Sequence, residues 1–205
     1  MGTGSAGSAR MQDEHELVRR IQAGETSAFR EFVQRYQRDV YGLAYDLCGN
    51  HHDAEDLSQE VFIKAHRSLG NFRSDAKPGS WLYRITMNTF LDSRRRRPVQ
   101  VVSLDAPRDT QSGDDHPVDM PAPTAGPDRV THSARVRDDV EAALSALSAQ
   151  ERTVFVMRHY HDMPIKEISS SLSIAEGTVK SMLFRSIRKL RDRLAQYREE
   201  AGDLA

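Results

Sequence analysis

Cross-linking cysteines, long apolar runs and an excess of charge of either sign are what this 205-residue sequence lacks. Its one cysteine, Cys48, cannot close an intramolecular disulfide, so the fold must hold without staples in a reducing compartment, which points to the cytosol. No stretch approaches the roughly 20 apolar residues of a membrane-spanning helix. Residues 1–10, rich in Gly, Ser and Ala, have no apolar segment of the kind a signal peptide needs, so membrane insertion is not expected. Lys and Arg total 29 against 30 Asp and Glu, a net charge of -1 that excludes a uniformly basic, DNA-coating protein. No alternating β pattern of useful length is present.

Helical periodicity is what the chain does have. Phe29, Phe32, Val33, Tyr36, Val40, Ala44 and Leu47 recur at three- and four-residue spacing on one stripe, and Gly49-Asn50 ends that helix. Asp53, Glu55 and Asp56 fall in the first turn of a second helix, at the positive end of its macrodipole, and Leu57, Val61, Ala65 and Leu69 form its stripe. Pro78-Gly79-Ser80 interrupts the chain, and a third long helix starts at Trp81 and ends in Arg94 to Arg97. Six of the eight prolines (Pro98, Pro107, Pro117, Pro121, Pro123, Pro127) and six aspartates then crowd residues 98–135. Prolines at that density remove backbone donors, and with few large apolar residues to bury the segment is a linker.

Beyond it, Val136, Val140, Ala143, Leu144 and Leu147 make an amphipathic helix, and Ser148 with Glu151 has the spacing of a capping box for the next. Pro164 opens a short helix, and Ser173 with Glu176 suggests another capping box before a last helix through Val179, Met182, Leu183, Leu190 and Leu194. The expected fold is all-α: two small helical domains, residues 12–97 and 136–198, joined by the flexible linker 98–135. A disordered tail is expected at 1–11 and a short C-terminal tail at 199–205.

Residues 165–185 read as a short helix, a tight turn and a longer helix, the pattern of a helix-turn-helix whose second helix enters the major groove. Ser173 stands where many such units have glycine, which predicts a turn that avoids a strongly left-handed backbone there. Lys180, Ser181, Phe184 and Arg185 project near the start of the longer helix, followed by Arg188, Lys189, Arg191 and Arg193. Cations of this kind neutralise phosphates or, as Arg, bond guanine in bidentate fashion, and a ring such as Phe184 meets a thymine methyl. From Phe72 to Arg97, aromatic residues (Phe72, Trp81, Tyr83, Phe90) interleave with Arg73, Lys77, Arg84 and the arginine run, a combination suited to an unpaired strand. Trp81, at a helix start, reads first as core.

Taken in order, Asp53-Ala54-Glu55-Asp56-Leu57-Ser58-Gln59-Glu60-Val61-Phe62, then Phe72-Arg73-Ser74-Asp75 with Trp81-Leu82-Tyr83-Arg84-Ile85, then Gly177-Thr178-Val179-Lys180-Ser181 before Arg185, carry a resemblance. The chain resembles the extracytoplasmic-function (ECF) subfamily of bacterial sigma-70-type RNA polymerase sigma factors, over about residues 15–97 and 136–195. The resemblance implies that residues 12–97 are region 2, docking on the clamp helices of the polymerase's largest subunit through Asp53, Asp56, Gln59 and Glu60. It implies that Phe72, Arg73, Ser74, Asp75, Lys77, Arg84, Asn88, Arg94 and Arg95 meet and open the minus-ten promoter element. Residues 136–198 would be region 4, seated on the polymerase flap and reading the minus-thirty-five element with Thr178, Lys180, Ser181, Phe184, Arg185 and Arg188. No catalytic residue, metal or cofactor is implied; the implied partners are core RNA polymerase, promoter DNA and an anti-sigma factor, in the bacterial cytoplasm. The aspartates of the linker would suit a path otherwise taken by RNA phosphates.

Two other classes are open on the residues alone. His51, His52, Asp53, Glu55, Asp56 and Glu60 could ligate a divalent metal for phosphodiester hydrolysis, although carboxylates in a helix's first turn need no metal to explain them. An ordinary helix-turn-helix regulator would explain residues 136–195 but leaves Asp53 to Phe62 without purpose. His159 and His161 read as surface histidines before a turn, and Cys48 as a small core hydrophobe.

Overall fold

A computed structural model of the protein describes residues 4–72, 77–96 and 127–197, and all regular structure among them is helical. Helices α1 (Gly4–Gln22), α2 (Thr26–Cys48), α3 (His51–Ser68) and α4 (Pro78–Arg96) build the first domain. Helices α5 (Pro127–Ser145), α6 (Ala149–His159), α7 (Ile165–Leu172) and α8 (Glu176–Arg193) build the second. The all-α expectation holds.

The stripe on α2 becomes the core of the first domain: Phe32, Tyr36, Val40, Leu43, Ala44 and Leu47 are buried against Ala54, Leu57, Val61 and Ala65 of α3 and Leu82, Met87 and Phe90 of α4. The corner between α2 and α3 follows from two adjacent residues. Gly49 takes the left-handed conformation that closes α2 (φ 78°), its N–H donating to the Tyr45 carbonyl, and the Asn50 side chain accepts from the Asp53 N–H to open α3.

Helix α1 begins at Gly4, inside the segment expected to be a disordered tail. Leu17 and Val18, a pair too short to register as a stripe, are buried in the core and anchor a continuous helix there. Pro78 is the first residue of α4 and not a break before it, because a first-turn proline gives up no intrahelical bond. Pro127 opens α5 in the same way, so residues 127–135, assigned to the linker by composition, are helical.

The turn between α7 and α8 departs from expectation. Ser173 has φ 55° and ψ 42°, a left-handed backbone, and α8 is preceded by Ala175 with no side-chain cap, so the Ser173–Glu176 capping box does not form. Local hydrogen bonds hold the serine there. Its N–H and that of Ile174 both donate to the Ser169 carbonyl, while Ser169 Oγ donates back to the Ile174 carbonyl at 2.6 Å. A left-handed L-residue costs roughly 1–2 kcal/mol, partly offset by the greater freedom glycine has in the unfolded chain. Ser173→Gly is therefore expected to raise the stability of the second domain by about 0.5 kcal/mol, read from urea melts. The capping box at Ser148 and Glu151 is present, with both reciprocal bonds.

The two domains pack on one another where α2 ends. Arg152 of α6, 4% exposed, donates from Nε and Nη2 to the Asp46 carbonyl at 3.2 and 3.0 Å and from Nη2 to Glu141 Oε1 at 2.7 Å. It thereby satisfies one of the carbonyls that the C-terminal turn of a helix leaves without a partner. The Glu141 carboxylate lies directly over Gly49, where a Cβ would meet it at 1.7 Å. His161 Nε2 lies 3.0 Å from Asp46 Oδ2, and its ring stands edge-on to Tyr83 at 5.4 Å. His161 is thus a half-buried junction residue and not the free surface histidine expected.

Candidate nucleic-acid and protein interfaces

On α3, the buried stripe leaves Asp56 and Gln59 exposed and Asp53 and Glu60 half-buried. The geometry divides these four residues. Asp53, Asp56 and Glu60 line a groove of about 200 Å³ against α4, with Cys48, Phe90 and Arg94. Gln59 lines a second groove, of about 320 Å³ and against α2, with Gln37, Arg38, Tyr41 and Glu55. Glu60 is paired with Lys64 at 3.0 Å, whereas the approach of Asp56 to His52 is a looser 3.9 Å. Ile63, two turns beyond Asp56 and one beyond Glu60 on the same side, is 52% exposed. Sequence reasoning passed over Ile63; the signal was an apolar residue lying off the stripe of Leu57, Val61 and Ala65. His51, a metal candidate by sequence, accepts or donates a 2.6 Å bond with Tyr41 Oη and tilts against the Tyr45 ring. Among the described residues no three His, Cys, Asp or Glu side chains gather as a metal site.

On α4, Arg84, Asn88 and Arg95 are exposed and, at spacings of four and seven residues, share one stripe. Arg94 is set apart from them: it stands over the Phe90 ring at 5.3 Å and faces the acidic groove. Lys77 lies beyond the start of the helix, lining a groove of about 430 Å³ at the domain junction with Tyr36, Asp39, Tyr83 and His161. Burial, then Asp39 and Asp46, push the Tyr83 hydroxyl up, so it remains a protonated donor through neutral pH.

The aromatic residues correct the expectation of a stacking surface. Phe72 is only 7% exposed, packed edge-on against Trp81 at 5.1 Å, and Phe90 is 1% exposed. Interleaving with cations reads the same whether a ring faces in or out, and here the core claims both phenylalanines. Trp81 itself is half-buried at the edge of the core. Arg73, Ser74 and Asp75 lie outside the described residues, as do residues 97–126 and 198–205.

On α8, Val179, Met182, Leu183, Ser186 and Leu190 are buried, and Thr178, Lys180, Ser181, Phe184, Arg185 and Arg188 are exposed on the opposite side. Phe184 is 70% exposed among cations. Behind this face sits Glu151, 5% exposed, whose Oε2 accepts from the Ser148 N–H at 3.0 Å and from Lys189 Nζ at 2.7 Å; its Oε1 lies 3.4 Å from Arg185 Nε. Burial alone would raise its pKa, but the bonds from Lys189 and Ser148 win and hold the carboxyl below its usual range. The sequence revealed Glu151 as a cap and not its hold on two cations.

These surfaces can be set beside known proteins. The model of Sigma-70 region 2 matches residues 32–98, and that of Sigma-70, region 4 matches residues 137–190. The chain is 38% identical over 176 residues to the ECF RNA polymerase sigma factor SigE of Mycolicibacterium smegmatis, covering 85% of this chain and 65% of that protein. It is 34% identical over 184 residues to the RNA polymerase sigma-H factor of Pseudomonas aeruginosa, covering 85% and 90%. In fold it is similar to the sigma factor RpoE of Bartonella quintana, solved in complex with the anti-sigma factor NepR. The TM-score is 0.58 at 23% identity, over 82% of this chain and 96% of that one. Two regions matched in their proper order, together with relatives aligned across most of this chain, establish that it belongs to the ECF group of the sigma-70 family of RNA polymerase sigma factors.

Proposed function

We propose that the chain acts in the bacterial cytoplasm as the promoter-specificity subunit of RNA polymerase, with no active site of its own. The exposed carboxylate side of α3 would dock the first domain on the basic clamp helices of the largest subunit, and the second domain would sit on the flap. Lys77 and the stripe of Arg84, Asn88 and Arg95 would hold the opened minus-ten element. The face of α8 bearing Thr178, Lys180, Ser181, Phe184, Arg185 and Arg188 would read the minus-thirty-five element. Anti-sigma control is proposed through the junction groove, where both domains are within reach of one partner. The observation that carries the reading is the division of α8 into a buried apolar side and a cationic side on which Phe184 is exposed to 70%. An exposed ring among cations on one helix side is the combination that meets a thymine methyl and the flanking phosphates of a duplex.

The test is initiation in a purified system: the full chain with bacterial core polymerase, on a pool of random DNA, should enrich templates with two conserved elements at fixed spacing. A phosphate contact by Arg188 makes a further prediction. Arg188→Ala should weaken holoenzyme binding to the enriched duplex and flatten the slope of log K against log salt by about 0.9, the value of one neutralised phosphate.

A further inference from the structure

We infer that Glu151 is a positioning residue for promoter reading: it sets the aim of Arg185 and withdraws Lys189 from phosphate contact. The inference rests on α8 being the promoter-reading helix. The capping box and the positive end of the α6 macrodipole account for an acidic residue at this position, but not for its two cationic partners on α8. An N3 glutamine serves a capping box as well as glutamate does, because only an acceptor for the Ser148 N–H is needed. A nearly buried charge, by contrast, is tolerated only with strong partners. Glu151 has two, Arg185 at 3.4 Å and Lys189 at 2.7 Å, one turn apart on α8, while their own side chains remain 57% and 47% exposed.

The consequences for the two cations differ. Arg185 approaches Glu151 through Nε, at the neck of its guanidinium, as an ion pair without a hydrogen bond; the attraction steers the side chain and leaves the two terminal nitrogens as a fork, the shape that meets guanine or a phosphate in bidentate fashion. Lys189 gives its ammonium to Oε2, so its charge is offset before DNA arrives. One anion behind a basic face thus lowers sequence-independent attraction to phosphates while fixing the geometry of the group that discriminates bases. Both effects raise the ratio of specific to non-specific binding.

The probes are a duplex enriched from random DNA by the wild-type holoenzyme and a scrambled duplex of the same composition, each titrated against holoenzyme carrying Glu151→Gln, Glu151→Asp or Arg185→Ala over a range of salt. Glu151→Gln keeps the acceptor for Ser148 and removes the charge. It should reduce discrimination between the two duplexes roughly tenfold, tighten binding to the scrambled duplex, and steepen that duplex's salt slope by about 0.9 as Lys189 is released. Glu151→Asp should recover part of the discrimination, and the melting temperature of Glu151→Gln should stay close to that of the wild type. Unchanged discrimination and slope in Glu151→Gln would overturn the inference, as would an equal loss on both duplexes with a lowered melting temperature, the mark of a cap alone. If Arg185→Ala discriminates as well as the wild type, the assignment of Arg185 to DNA reading fails first and the inference falls with it.

Discussion

Asp56→Arg is expected to lower the affinity of the chain for core polymerase by at least tenfold and to remove most selective transcription, with little change in thermal stability. The carboxylate is 64% exposed and, among the described residues, makes no closer side-chain pairing than its 3.9 Å approach to the His52 imidazole, so the fold loses little; surface changes of this kind fall within about 0.5 kcal/mol. Its place on the docking side makes the difference. The substitution turns an attractive pairing with a basic partner into a like-charge contact, which costs several kcal/mol at an interface and slows encounter as well. Competition with wild-type chain for a limiting amount of core enzyme measures the effect. Equal competition would remove α3 from the docking surface. Because Ile63 continues the same side of the helix and is half exposed, Ile63→Ser should add a smaller loss without destabilising the chain.

Arg152→Met should part the two domains. Methionine keeps most of the apolar stem but removes the bonds to the Asp46 carbonyl and to Glu141, leaving a helix-terminal carbonyl and a carboxylate without their partner. An unsatisfied buried acceptor costs about 1–3 kcal/mol and a broken buried pair somewhat more. With Glu141 35% exposed and so partly served by water, a loss of about 2–3 kcal/mol in docking is expected. Gly49→Ala attacks the same junction from the first domain, through the strained φ of 78° and the collision of the new methyl with Glu141. Both variants should enlarge the radius of gyration in small-angle scattering while far-ultraviolet circular dichroism keeps its helical signal. An unchanged radius in both would mean that other contacts hold the junction.

The proposed function makes this junction consequential. Elements centred near minus ten and minus thirty-five are separated by about 25 base pairs, or roughly 85 Å at about 3.4 Å per pair. A compact chain of this length has a radius of gyration of only roughly 17 Å. Two domains held together, at Arg152 and through the apolar cluster they share, cannot reach both elements, so under the proposed function engagement of the polymerase has to separate them, and a chain loosened by Arg152→Met should bind core polymerase at least as tightly as the wild type.

Much of the fold was legible because its signals are local. Gly49 and Asn50 state the end of one helix and the start of the next in adjacent residues, Ser148 and Glu151 state a cap at three-residue spacing, and the α2 and α3 stripes are long enough for periodicity to be unambiguous. What stayed illegible is non-local or two-valued. The left-handed Ser173 depends on bonds to Ser169 that serine's own preferences do not announce. Phe72 and Phe90 sit among cations in the sequence, and only packing against Trp81 and the core places them inside. The domain junction joins residues more than a hundred positions apart, Asp46 with Arg152 and His161, none of which stands in a local pattern. The candidate surfaces show the same division. The side of α8 follows from helical arithmetic, whereas the separation of Arg94 from Arg84, Asn88 and Arg95 follows from the contact with Phe90 and the acidic groove beside it.

The most direct measurement is the mapping of transcript starts made by bacterial core polymerase with and without the purified chain on one pool of random templates. The account predicts starts that depend on the chain and lie downstream of two conserved elements at fixed spacing, lost in Asp56→Arg and altered in the upstream element by Arg185→Ala. Starts that are the same with and without the chain, on a core enzyme that other ECF sigma factors activate, would contradict it.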